Sequence, residues 1–150
     1  MIIRRATEKD LDVYFKLLTQ FHKASPVRNF ARPDALKTFD FLKSSLEKDD
    51  IILLLGELDN EIVGITACLL YPLYFSKCVV GQELWWWLTP KARGKGIGKA
   101  LFEAIQNWAK EKGANALFMI ALEDDYAQKM EQIYLKAGFK PLERTFIKEL

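Results

Sequence analysis

Cysteine is scarce: the chain has only Cys68 and Cys78, too far apart for the paired CxxC spacing of a zinc or redox site. Two thiols do not make a disulfide framework, so both are expected to be reduced, with Cys68 set in an apolar strand-like run as buried filler. Excess charge is lacking as well. The 22 Lys and Arg against 20 Asp and Glu leave a formal +2, too little for a nucleic-acid binder by bulk electrostatics, so any anion site must be local. No long hydrophobic run is present: residues 62–75 are too short and too polar-flanked to cross a bilayer, which argues against a membrane partner. The opening Met-Ile-Ile-Arg-Arg has no signal-peptide core, so a cytoplasmic location is expected. Disorder and low complexity are excluded by a composition of 50% hydrophobic and 28% charged residues. A length of 150 residues suits one domain, 1–150, built on one core.

Along the chain, residues 2–5 read as a short strand, and Thr7 followed by Asp10 resembles a capping box that opens a helix. Leu11, Tyr14, Phe15 and Leu18 give that helix one apolar stripe, ending near Phe21. Residues 22–32 carry no periodicity and read as a long loop, the kind of segment that often serves function. Pro33 suits the first turn of a second helix with Ala35, Phe39, Leu42 and Leu46 on its buried face. Residues 51–55 and 62–71 form a hairpin about Asp59 and Asn60. A strand over 82–88, rich in aromatics, is closed by Pro90 and followed by a glycine turn. Ile97, Leu101, Ala104, Ile105 and Trp108 then mark a helix of about three turns that stops at Gly113. A strand is expected over 116–122. A last helix carries Tyr126, Met130, Ile133, Tyr134 and Ala137 on one face and ends at Gly138, and one or two closing strands are expected over 139–150. The order β α α β β β α β α β, with one parallel crossover, gives an α+β class with a mixed sheet.

The glycine turn carries the chemistry. Arg93, Gly94, Lys95, Gly96, Ile97, Gly98 and Lys99 lie where a strand ends and an amphipathic helix begins. Amides at a helix N-terminus lack partners, the macrodipole adds partial positive charge, and glycine admits a ligand close to the backbone, so the place suits a phosphate or pyrophosphate. Arg93, Lys95 and Lys99 add cations. The P-loop pattern fails, because Arg93 stands where its first glycine is needed and Ala100 where Ser or Thr should follow Lys99. The dinucleotide pattern fails at Lys99, where its third glycine belongs. Arg93, Gly96 and Gly98 do meet Arg/Gln-x-x-Gly-x-Gly/Ala, and in this the chain resembles the GNAT N-acetyltransferases. Leu88, Thr89 and Pro90 echo the Val-x-Pro that precedes that turn in the family, and Tyr134 ahead of Gly138 and Phe139 looks like the family's tyrosine followed by Gly-Phe.

The resemblance implies the GNAT acyl-CoA N-acyltransferase fold: a mixed sheet of about six to seven strands, splayed at the acetyl-CoA site, with about four helices. The pantetheine arm would pair with the strand backbone at Trp87, Leu88 and Thr89, and the pyrophosphate would sit on the amides from Lys95 to Lys99. Tyr134 aligns with the tyrosine that protonates the departing thiolate; its helical stripe alone reads as core. Many members carry Asn where this chain has Ala127, which removes one polar contact to the cofactor. A general base is useful, since an amine with pKa near about 10.4 is protonated at neutral pH. Glu83 is the only carboxylate on the central strand, and burial beside tryptophans would raise its pKa. Strand parity points it away, because the family's groups fall at the positions of Gln82 and Leu84, unless a bulge shifts the register. Water chains are the alternative. His22 reads as a helix-end residue or, less favoured, an acceptor-site group. Glu123, Asp124 and Asp125 either attract a cationic acceptor or cap the last helix. Trp85, Trp86 and Trp87 must alternate between faces, as core or as an aromatic wall.

The expected function is transfer of acetyl from acetyl-CoA, a co-substrate, to a primary amine by direct attack, without a metal. The amine could belong to a small molecule, a peptide or an aminoacyl adduct. A non-catalytic acyl-CoA-binding module and an interaction protein that keeps the fold stay open. The partners expected are acetyl-CoA and an amine acceptor, with no nucleic acid and no membrane; a homodimer is left open.

Overall fold

The Asp59–Asn60 turn organises the centre of the sheet. Both residues take left-handed backbone angles, φ 52° and 64°, which a two-residue hairpin demands and which Asp and Asn tolerate. The computed structural model describes residues 1–150. Its elements are β1 (Ile2–Arg5), α1 (Leu11–Ala24), α2 (Ala35–Ser45), β2 (Ile51–Leu58), β3 (Glu61–Pro72), β4 (Val79–Leu88), α3 (Ile97–Glu111), β5 (Ala116–Phe118) and α4 (Ala127–Lys136). The strands form one sheet in the order β1-β2-β3-β4-β5, antiparallel except for the parallel pair β4-β5. The class is the α+β mixed sheet expected, with four α-helices.

Both faces of the sheet are covered. On one, Ile97, Leu101, Ile105 and Trp108 of α3 pack on Ile52, Leu54, Val63 and Cys68. On the other, Leu11, Tyr14 and Leu17 of α1 and Leu42 of α2 pack on Leu53, Leu55, Ile65 and Ala67. This explains why β2 reads as a continuous apolar run: its residues are buried on both faces. Tyr14 is fully buried and satisfies its hydroxyl twice, donating to the Thr66 carbonyl at 2.8 Å and accepting from Trp85 Nε1 at 2.9 Å. At the start of α1, Asp10 accepts from the Thr7 amide at 2.8 Å and holds Arg4 with both oxygens, so the capping box is present and tied to β1. No helix is long and apolar enough to cross a membrane.

Several boundaries differ from the sequence reading. α1 continues past Phe21 to Ala24, and a short 3-10 turn at Pro26–Asn29 occupies part of the expected loop. Asp34 rather than Pro33 opens α2, its carboxylate accepting from the Lys37 amide at 2.9 Å. The fifth strand stops at Phe118, because its partner β4 is paired only as far as Gln82. Residues 139–150 form no strand, so the sheet has five strands instead of six or seven. A ladder three residues long gives a following strand little to pair with, and Leu142, Phe146, Ile147 and Leu150 remain exposed.

Candidate active site

β4 and β5 are paired only at Val80 with Ala116, Gly81 with Leu117 and Gln82 with Phe118. Beyond Gln82 they separate, and the wedge opens into a cavity of about 930 Å³ that reaches from the end of α1 to the start of α3. A bulge decides what faces it. β3 pairs Ala67 with Trp85 and Cys68 with Glu83, leaving Leu84 as an extra residue on β4. One extra residue inverts the alternation of side chains along a strand. Trp86 and Leu88 pack toward α3, while Leu84, Trp85 and Trp87 pack toward α1 and α2. Gly81 also lies against α3, where an added Cβ would come within 3.4 Å of Ala109. Glu83 therefore shares the α3 face, which unbroken parity denies it.

Glu83 is 4% exposed, and its Oε2 accepts from the Ile120 amide at 3.1 Å. Burial pushes its carboxyl up to about 7, against the pull of that one hydrogen bond. Tyr134, on α4, reaches the same place. Its hydroxyl donates to the Ile120 carbonyl at 3.0 Å, and its ring leans on Trp86, Phe102 and Phe139 with centroids 5.9–6.5 Å away. Burial first, and the neighbouring Glu83 charge second, push the phenol well above its ordinary range, so it is protonated at neutral pH. The Cys68 thiol, pushed up to about 12 by burial, is a buried neutral filler as expected from its apolar surroundings.

The glycine turn lines the other side of the cavity. Gly94 and Gly96 take φ values of 78° and 85°, and a Cβ at either would touch nothing within 4 Å, so these two are required for conformation and leave open space above the backbone. Gly96 is the N-cap of α3 and offers no side-chain acceptor, so the amides of Ile97, Gly98 and Lys99 have no capping partner. Gly98 is there for packing: a Cβ would lie 3.1 Å from Leu88 Cδ1 and 3.3 Å from Trp86 Cζ2. The Ile97 side chain is fully buried, so only its amide is available to a ligand. Lys95 and Lys99 are exposed, with Lys99 3.7 Å from Glu103. The Thr89 amide donates to the Val63 carbonyl at 2.9 Å; alternation along β4 then turns the backbone groups of Leu88, rather than those of Trp87 or Thr89, toward the wedge.

Arg93, though exposed, folds back over two aromatic rings. Its guanidinium lies 5.2 Å from the Trp87 ring centroid and 5.1 Å from that of Tyr126, and it donates to the Tyr126 hydroxyl at 2.9 Å. Tyr126 reads from the sequence as a member of the last helix's stripe; it stands instead as the N-cap of α4, exposed, over Arg93. His22 bonds the Ala31 carbonyl at 2.9 Å through Nε2 and holds the loop after α1. Asp124 accepts from the Tyr126 amide at 2.8 Å in a local turn, but the N-cap of α4 is Tyr126 with no side-chain cap, so the acidic run does not cap the helix as expected.

The Acetyltransferase (GNAT) family matches residues 14–139. The chain belongs to the GNAT acetyltransferase family. It is thus an acyltransferase of the N-acetyltransferase kind. The uncharacterised N-acetyltransferase YhfO of Bacillus subtilis (strain 168) is 28% identical over 146 residues, which cover 93% of this chain and 90% of that protein. Among solved structures, AAC(6')-Iy in complex with the bisubstrate analogue CoA-S-monomethyl-acetylneamine has a TM-score of 0.78 at 19% identity, covering 99% and 97% of the two chains. An aminoglycoside acetyltransferase from an uncultured soil metagenomic sample, in complex with sisomicin, has a TM-score of 0.75 at 25% identity, covering 99% and 95%. The GNAT fold thus spans nearly the whole chain. Ala127, where many GNAT members carry Asn, is the first residue of α4 and brings no polar side chain to the cavity.

Proposed function

We propose that this GNAT chain, as a single domain over 1–150, transfers acetyl from acetyl-CoA to a primary amine by direct attack. The observation that carries this is the convergence of Glu83 and Tyr134 on Ile120, in a cavity that also opens onto the glycine turn. The turn fits a pyrophosphate: uncapped amides at Ile97, Gly98 and Lys99, open space above Gly94 and Gly96, and the cations of Arg93, Lys95 and Lys99. Leu88, flanked by Trp87 and Thr89, offers strand backbone to the pantetheine amides.

Glu83, with a carboxyl near 7, takes a proton from the incoming ammonium, directly or through water. The freed amine nitrogen bonds to the thioester carbonyl carbon; collapse of that adduct breaks the C–S bond and releases a thiolate. Tyr134, protonated and held at Ile120, gives its proton to that sulfur as it turns from the carbonyl, and the second proton that the nitrogen sheds as the adduct becomes an amide passes through water to restore the tyrosine hydroxyl. The reading is tested by following free thiol release from acetyl-CoA with a panel of primary amines. Amine-dependent thiol release is the expected result; saturable CoA binding without release would make the chain a CoA-binding module, and neither would leave only an interaction protein.

A further inference from the structure

We propose that the acceptor is a small primary monoamine on an apolar, aromatic-sized body rather than a polycationic aminosugar. This rests on the acetyltransferase reading above and names its second substrate. The end of the cavity away from the glycine turn is walled by the last turn of α1, the following 3-10 turn and the α1-facing side of β4. Phe21, Ala24, Val27, Leu84 and Trp87 line it, none of them charged. Phe21 and Trp87 meet edge to face at 6.5 Å, and Gln20 accepts from Trp87 Nε1 at 3.3 Å, which fixes the indole. Ser25, the polar side chain on this wall, already accepts from the Val27 amide at 3.2 Å.

An aminosugar brings several ammonium groups, and each needs an acceptor when it leaves water. The carboxylates lining the cavity are Glu83, Glu103 and Asp124; only Glu83 is buried, Glu103 and Asp124 are exposed, and none stands on the apolar wall. Arg93 and Lys129 line the same space and repel further cations. One buried carboxylate can take the proton of one amine. The rest of the acceptor meets apolar and aromatic side chains, which favour a ring or a branched alkyl group.

The test compares 2-phenylethylamine and tryptamine with neamine, sisomicin and a tripeptide bearing N-terminal Phe, each read as kcat/KM by thiol release at saturating acetyl-CoA. The arylalkylamines are expected to exceed the aminosugars by on the order of 100-fold. Val27→Asp, which sets a carboxylate on the apolar wall, is expected to lower kcat/KM for phenylethylamine by about 10-fold with the KM for acetyl-CoA unchanged. Aminosugars that match or exceed the arylalkylamines overturn the inference while the acetyltransferase reading stands; preference for the peptide overturns the small-molecule class. A second arm, equilibrium dialysis of tryptamine and neamine against the CoA-bound protein, needs no turnover. Selective tryptamine binding without transfer supports the ligand class and sinks the enzymatic reading. Absence of any amine binding, or selective neamine binding, overturns the inference.

Discussion

Glu83 and Tyr134 grip the two ends of one residue: the Glu83 carboxylate accepts from the Ile120 amide at 3.1 Å, and the Tyr134 hydroxyl donates to the Ile120 carbonyl at 3.0 Å. A strand and a helix are thereby joined across the wedge, and the two titratable groups are held by backbone that does not titrate. That Ile120 has no strand neighbour is what leaves both of its backbone groups free for side chains.

Glu83→Gln should flatten the pH dependence of stability. The folded carboxyl sits near 7 against an ordinary value of 4.5, so between these limits the folded state holds more protons than the unfolded one. Stability therefore falls as pH rises from about 4.5 through 7 and is level above, a loss on the order of 3 kcal/mol for a group this buried. Gln can still accept from Ile120. Denaturant midpoints at pH 5 and pH 8 should converge in the variant, and the rise of kcat/KM through pH about 7 should vanish with them. Parallel stability slopes in the two proteins would mean that Glu83 is ionised throughout.

Tyr134→Phe keeps the ring against Trp86, Phe102 and Phe139 and removes one hydrogen bond, so stability should change by about 1 kcal/mol or less. Turnover should fall on the order of 100-fold, in kcat rather than in the KM for acetyl-CoA. A donor whose thiol has a lower pKa should narrow the gap. An unchanged kcat would reduce Tyr134 to a packing residue.

The glycines of the turn should respond differently. Gly96→Asp introduces a side chain into open space at φ 85° and a negative charge at the anion site, so CoA affinity should be lost with a folding cost of about 1 to 2 kcal/mol. Gly98→Ala instead presses on Leu88 and Trp86 at 3.1 and 3.3 Å, so its effect should appear in stability and in Trp86 fluorescence, with the pyrophosphate contacts kept. Calorimetric titration with CoA beside thermal melts separates the two; equal losses of affinity would contradict the assignment.

Much of this arrangement is legible in the sequence because it is local. Asp59 and Asn60 announce a hairpin by the backbone angles they tolerate, and the run from Arg93 to Lys99 announces a glycine turn that opens a helix, the place proposed for an anion. Tyr134 is placed by its distance to Gly138, whose φ of 88° ends α4. The side that Glu83 faces is different in kind. It depends on Leu84 bulging out of a ladder whose register is set by Ala67 and Cys68 on β3, a pairing of residues distant in sequence. The same holds for Arg93 between Trp87 and Tyr126, and for residues 139–150, whose strand-like composition forms no strand because β5 ends at Phe118.

The central claim, that the cavity and its glycine turn hold acetyl-CoA, is tested most directly by the melting temperature of the purified chain as CoA is raised. A ligand bound only by the folded state at about 100 times its Kd adds about 2.7 kcal/mol. For 150 residues that is a rise of about 5 to 10 °C, saturating with concentration and absent in Gly96→Asp. A melting temperature that stays level at millimolar CoA, or a rise that Gly96→Asp reproduces in full, would contradict it.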